Sequence, residues 1–167
     1  MSMKKREKLV LDEVDREILS LLQQDASMSI KDIAAKVHLS STPCWKRIKK
    51  LEKSGLIKAN GILLDPAMIG ANVNAFVSIR VNQNDPDWNE QFAKVMQDIP
   101  QIVEIYRMSG EIDYLMRVVV SSIEAYDKLY TKIISKMKTA GLHMPDVTSN
   151  FAMEQIKFTT VLPLEVG

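Results

Sequence analysis

Five cations, Lys46, Arg47, Lys49, Lys50 and Lys53, fall within one short stretch of the chain. Like charges at that density repel unless an anion sits opposite them, and a polyanion is the partner that many positive side chains in a row suit best. Ser40, Ser41, Thr42 and Pro43 precede them, and Trp45 stands among them. Hydroxyls and backbone N–H groups at a helix start can hold phosphate oxygens, while lysine and arginine reach phosphates or the edges of guanine. The same charges would also serve as an ordinary solvated face, and Trp45 could pack on its own chain instead of on a sugar or a thymine methyl.

These side chains need a helix to carry them. Ser40 is placed to cap one, Pro43 is tolerated in its first turn, and Ser54-Gly55 supplies a stop. Cys44, Ile48 and Leu51 recur at intervals of four and three, which gives one narrow buried stripe and turns the cations away from it. Cys44 on that stripe is expected to be a small buried hydrophobe rather than a redox sensor. Upstream, Val14, Ile18, Leu21 and Leu22 line a helix that Asp12 can cap. Ile30, Ile33, Ala34 and Val37 line a second, opened by Ser29 with Asp32 three residues on. His38-Leu39-Ser40 is then a very short connection, and His38 reads as a turn residue rather than a metal ligand. Three helices with a tight turn before the last is the helix-turn-helix plan, whose last helix enters the DNA major groove. Leu56-Ile57 and 61–64, joined around Asn60-Gly61, are expected to pair as a wing, and the basic start (Lys4, Lys5, Arg6, Lys8) to add an arm or a solvated terminus.

The charge balance divides the chain. Residues 1–60 carry 13 Lys+Arg against 8 Asp+Glu, and residues 61–167 carry 9 against 13, so the formal net charge of +1 hides a basic front and an acidic back. A single cysteine among 167 residues excludes an intramolecular disulfide and suits a reducing, cytoplasmic setting. Apolar runs are short and broken by charge, so no membrane span is expected.

The second half changes rhythm. Val73, Ala75, Val77, Ile79 and Val81 alternate as in a half-buried strand; Trp88, Phe92, Met96 and Ile99 share a helix face between Pro86 and Pro100. Strands are expected over 102–109 and 112–120. A helix capped by Ser122 follows, with Tyr126, Leu129, Tyr130, Ile133 and Met137 inward, and a last strand over 147–161. The order β-α-β-β-α-β packs two helices on one face of an antiparallel sheet and leaves the other face to be covered, for which self-association is the economical answer. The expected fold class is α+β, with a winged helix-turn-helix domain over 11–65, a hinge over 66–72 and a ferredoxin-like domain over 73–165.

Three stretches carry a family resemblance: L-D-E-V-D-R-E-I-L at 11–19, S-S-T-P-C-W-K-R-I-K-K-L-E-K-S-G-L-I at 40–57 and G-E-I-D-Y-L-M-R-V at 110–118. With the domain plan, they resemble the Lrp/AsnC (feast/famine) family of transcription regulators. Trp45 and D-V-T-S-N-F-A-M-E-Q-I-K-F-T-T at 146–160 look most like its cysteine-responsive branch. The resemblance implies double-stranded DNA as partner, a homodimer through paired sheets that assembles to an octamer, and a small amino-acid effector, cysteine favoured, bound between dimers by the ligand-binding half. Gly110 and Asp113 by themselves are ordinary turn residues. The resemblance makes Asp113 a candidate for the effector's ammonium and the backbone near Gly110 a candidate for its carboxylate. Thr148 and Ser149 become hydroxyl candidates from a neighbouring subunit, and Met108 and Ile112 candidates for an apolar lining.

No nucleophile–base pair, metal-ligand spacing or phosphate loop is visible, so neither enzyme activity, metal nor cofactor is expected. Two alternatives share parts of this plan. A sirohaem-decarboxylase-like enzyme would need haem-pocket histidines, of which the chain offers two histidines in all, and a nucleoid-type architectural protein would bind DNA with little regard to sequence.

Overall fold

The computed structural model describes residues 9–58, 61–81, 86–143 and 146–164. The basic residues Lys4, Lys5, Arg6 and Lys8 and the expected turn residue Asn60 lie outside them. The chain divides into two compact units: one gathers residues up to Ile62 together with the segment from Lys157, the other runs Leu63–Ile156. The fold class is α+β.

In the first unit, α1 (Glu13–Gln24), α2 (Ile30–Lys36) and α3 (Ser41–Lys53) surround a core of Ile18, Leu19, Ile33, Ala34, Val37, Cys44, Ile48 and Leu51. Asp12 caps α1 through a reciprocal capping box with Asp15, and the Ser29 hydroxyl accepts from Asp32 N–H at 3.2 Å to cap α2. His38 takes a left-handed backbone, φ 54°, just past the end of α2, while Leu39 N–H bonds back to the Ala34 carbonyl. This is the left-handed helix ending that permits a turn of so few residues. Ser40 does occupy the cap position of α3, but its side chain makes no capping hydrogen bond, contrary to expectation. Pro43, the third residue of the helix, removes one of the N–H donors that a cap side chain ordinarily engages.

The wing expected over 56–64 does not form a ladder among the described residues. Leu56 and Ile57 lie in a bend after Gly55, Ile57 packs against the helical core, and 61–65 carries no strand pairing. A two-stranded hairpin of this length has too few rungs to hold itself together.

In the second unit, β1 (Val73–Arg80), β2 (Ile102–Arg107), β3 (Tyr114–Val120) and β4 (Asp146–Phe151) form one antiparallel sheet in the order β2-β3-β1-β4. The helices α4 (Pro86–Gln97) and α5 (Ile123–Thr139) supply Trp88, Phe92, Met96, Tyr126, Leu129, Ile133 and Met137 to a core shared with Ala75, Val77, Ile79, Met116 and Val118 of the sheet. Trp88 stacks on Phe92 at 4.9 Å, and Phe92 meets Tyr114 at 4.5 Å, an arrangement that fixes α4 on β3. The opposite sheet face presents Phe76, Tyr106 and the ion pair between Arg117 and Glu104, 2.8 Å apart.

The last strand is shorter than the 147–161 expected. Its register runs from Asp146 opposite Arg80 to Phe151 opposite Ala75, and Ala152 N–H to the Asn74 carbonyl is the final rung. Beyond that point β1 has almost no residues left to pair with, whatever the apolar content of 153–161. The chain instead returns to the first unit. The Gln23 side chain donates to the Leu162 carbonyl at 3.1 Å and accepts from Leu162 N–H at 2.7 Å, and Leu164 packs on the helical core. Residues 157–164, expected in the second domain, therefore belong with the helices.

Candidate functional site

The expected nucleic-acid contacts lie on one element. Because Cys44, Ile48 and Leu51 are buried, α3 is pinned by that stripe, and Ser41, Thr42, Pro43, Trp45, Lys46, Lys49 and Lys50 are exposed, as is Ser40 before it. Trp45 keeps 46% of its surface accessible. Lys46, Lys50 and Lys53 enter no ion pair among the described residues, whereas Lys49 meets Glu52 at 2.6 Å on the same helix. Cys44 is fully buried, and burial pushes its thiol above the ordinary value, the opposite of what an activated thiolate requires.

Arg47 is placed differently from its neighbours. Its Nη1 donates to Asp12 Oδ2 at 2.6 Å and to Asp15 Oδ1 at 2.7 Å, across the helical core on α1. The other oxygen of each carboxylate serves the capping box: Asp15 N–H bonds Asp12 Oδ1 at 2.8 Å, and Asp12 N–H approaches Asp15 Oδ2 at 3.4 Å. The Asp15 N–H bond, followed by Arg47, holds the Asp12 carboxyl below its usual range. The sequence placed Asp12 as the cap of α1, but nothing in it pointed to Asp15 as its partner or to a cation 32 residues beyond Asp15.

The candidate effector residues gather less completely. The loop 108–113 is closed by Met108 N–H to the Asp113 carbonyl at 2.8 Å, and Gly110 within it has φ 128°, a conformation that side-chain-bearing residues rarely adopt. Asp113 N–H bonds the Ile79 carbonyl at 2.9 Å, and its Oδ2 accepts from Val81 N–H at 2.8 Å, so the carboxylate already ties the loop to the end of β1. Arg80 Nε adds a bond to the Glu111 carbonyl at 2.7 Å. Met108 is exposed and Ile112 half-buried. Thr148 and Ser149, being consecutive in β4, point to opposite faces: Thr148 is exposed, while Ser149 turns to the helix side and shares a 2.5 Å hydrogen bond with the Tyr126 hydroxyl. The family resemblance had made both hydroxyls candidates from a neighbouring subunit; strand alternation turns them to opposite faces.

No group of three His, Cys, Asp or Glu side chains among the described residues is arranged to hold a metal ion, and no described helix is long and apolar enough to cross a membrane.

Comparison with known proteins matches residues 11–58 to the winged helix-turn-helix DNA-binding family and residues 74–162 to the Lrp/AsnC ligand binding domain. The chain is 45% identical over 156 residues to the DNA-binding transcriptional activator DecR of Escherichia coli K12, spanning 93% of this chain and 100% of that one. An AsnC family transcriptional regulator from Agrobacterium tumefaciens superposes with a TM-score of 0.86 at 48% identity, covering 92% of this chain and 97% of that one. A transcriptional regulator from Neisseria meningitidis, solved in complex with L-Met, superposes with a TM-score of 0.81 at 28% identity, covering 93% and 98%. These relatives are regulators rather than enzymes, which sets aside the decarboxylase alternative. With both halves matched in order and nearly the whole length aligned, the chain belongs to the Lrp/AsnC family of DNA-binding transcription regulators.

Proposed function

We propose that this regulator reads DNA with α3 and that a small amino acid, cysteine first among the candidates, governs the reading through the second unit. The observation that carries the first part is the set of Lys46, Lys50 and Lys53, exposed and without an ion pair among the described residues, on a helix whose other side is locked into the core. Lysines so placed meet phosphates, while Ser41, Thr42 and Trp45 at the leading end are within the helix turns that reach into a groove. The amino-acid part is supported by the match of the second half to a ligand binding domain and by the L-Met complex of the Neisseria regulator. Cysteine itself rests on the resemblance of 40–57 and 146–160 to the cysteine-responsive branch.

The effector would meet the loop 108–113, with N–H groups beside Gly110 for its carboxylate and the remaining oxygen of Asp113 for its ammonium; Met108 and Ile112 would line its side chain. Thr148 would contribute from the open sheet face of a neighbouring copy, and Ser149 would hold Tyr126. The working form would be a homodimer joined through those open faces, assembled to an octamer in the cytoplasm.

Footprinting on the promoter region of the chain's own gene, with and without each of the twenty amino acids, tests both parts together. A protected inverted repeat whose extent changes with cysteine supports the proposal; protection that no amino acid alters overturns the effector, and protection independent of sequence overturns specific reading.

A further inference from the structure

We propose that Arg47 positions the reader helix instead of touching DNA, acting as a clasp that seats α3 on the capped start of α1. The proposal rests on α3 being the reader. Its basis is the closed network already described: one guanidinium nitrogen bridges two carboxylates, each of which spends its second oxygen on the cap of its own helix. Asp15 is the one charged residue that is fully buried among those described, at 6% exposure, and Arg47 is its cation. Drawing the guanidinium out to a phosphate would strand that carboxylate in the protein interior, where an unpaired charge is strongly disfavoured.

Two further features separate Arg47 from the lysines around it. It lies one position before Ile48 and three after Cys44, at the margin of the buried stripe, so its stem leaves the helix toward α1. Its side chain is 34% exposed, and both N–H bonds of guanidinium Nη1 donate to the two carboxylates of α1. The consequence for recognition is indirect. With Asp12 and Asp15 at the amino end of α1, where the helix dipole favours anions, the clasp fixes the rotation of α3 about its own axis, and with it the direction of Trp45 and Lys46.

The test uses the full-length protein, a duplex that it selects from a random pool, and a mixed-sequence duplex for comparison. Arg47→Gln should lose about tenfold or more in affinity for the selected duplex, because Asp15 is left charged and unpaired. The emission of Trp45, taken as the difference from the Trp45→Phe protein, should shift in the absence of DNA. Adding Asp15→Asn removes the stranded charge and lets two amides bond. The double variant should regain most of the affinity and the original emission, with the dependence of affinity on salt equal to the parent's. If Arg47 instead meets a phosphate, the salt slope falls by about 0.9 in both variants and Asp15→Asn restores nothing, which overturns the proposal. Should Arg47→Gln fail to fold, the double variant, which leaves no buried carboxylate without its cation and only the exposed Asp12 unpaired, decides the question alone. Lys46→Ala with Lys50→Ala is the control for the reader: an unchanged salt slope there overturns α3 as reader and the clasp's purpose with it.

Discussion

The Asp113 carboxylate accepts a hydrogen bond from Val81 N–H at 2.8 Å, joining the loop between β2 and β3 to the end of β1. A residue proposed for ligand binding is thus also part of the sheet's closure, and the two roles predict different variants. Asp113→Ala leaves Val81 N–H without its partner and should destabilise the second unit by roughly 1–3 kcal/mol. Asp113→Asn keeps an acceptor and should melt near the parent, but it lacks the charge for an ammonium. Thermal shift with and without cysteine checks this: an Asp113→Asn protein that still responds restricts Asp113 to its structural role.

On α3, Lys46→Ala and Lys50→Ala should each weaken binding to all duplexes and lower the salt slope by about one contact. Lys49 is shared with Glu52 at 2.6 Å, so Lys49→Ala should cost less than either. Glu52→Ala should tighten binding by releasing that lysine and removing an anion from the reader. Titrations at several salt concentrations give all four values, and weaker binding by Glu52→Ala would contradict the pairing argument.

Cys44 should resist thiol reagents in the native protein and react only on unfolding, because it is fully buried and burial pushes its thiol above the ordinary value. The sign for stability follows from the raised value. Below the unfolded-state pKa, both states hold the proton and folding is unaffected. As pH rises above it, the unfolded chain ionises first and stability falls through the folded pKa. Cys44→Ala should therefore flatten the alkaline side of the stability profile, and native-rate labelling by iodoacetamide at neutral pH would count against burial.

Phe76 stands on the open sheet face, 40% exposed, with Tyr106 at 53% on the same side. If that face joins two copies, Phe76→Asp places a charge in the interface and should yield monomers in sedimentation. The second unit's own core, on the other side of the sheet, is untouched, so the monomer should keep the parent's circular dichroism and lose only the stability that dimerisation adds. Unchanged sedimentation would assign the dimer to another surface.

The sequence made much of this visible wherever spacing alone decides structure. Cys44, Ile48 and Leu51 define the buried side of α3; Trp88, Phe92, Met96 and Ile99 define that of α4 and its end; the alternation from Val73 gives β1. What stayed hidden depends on partners distant in the chain. The apolar residues after Phe151 read as more strand, but a strand ends where its neighbour's rungs end, and β1 begins at Val73. Arg47 read as one more cation because Asp12 and Asp15 lie more than thirty positions away. Thr148 and Ser149 looked equivalent until the register assigned them opposite faces.

The bonds between Gln23 and Leu162 and the packing of Leu164 bear on how the protein is made. The three helices leave the ribosome early, yet Leu164, which packs at the margin of their core, is synthesised about 110 residues after α3 ends at Lys53. At about 5–20 residues per second, roughly 5 to 20 s separate the two events. Through that interval the second unit emerges while the first remains uncapped, with part of its apolar surface open to solvent. Closing it is a contact between residues far apart in the chain, a kind that forms slowly. A nascent chain arrested before Leu162 should therefore carry a looser helical unit than one extended past Leu164.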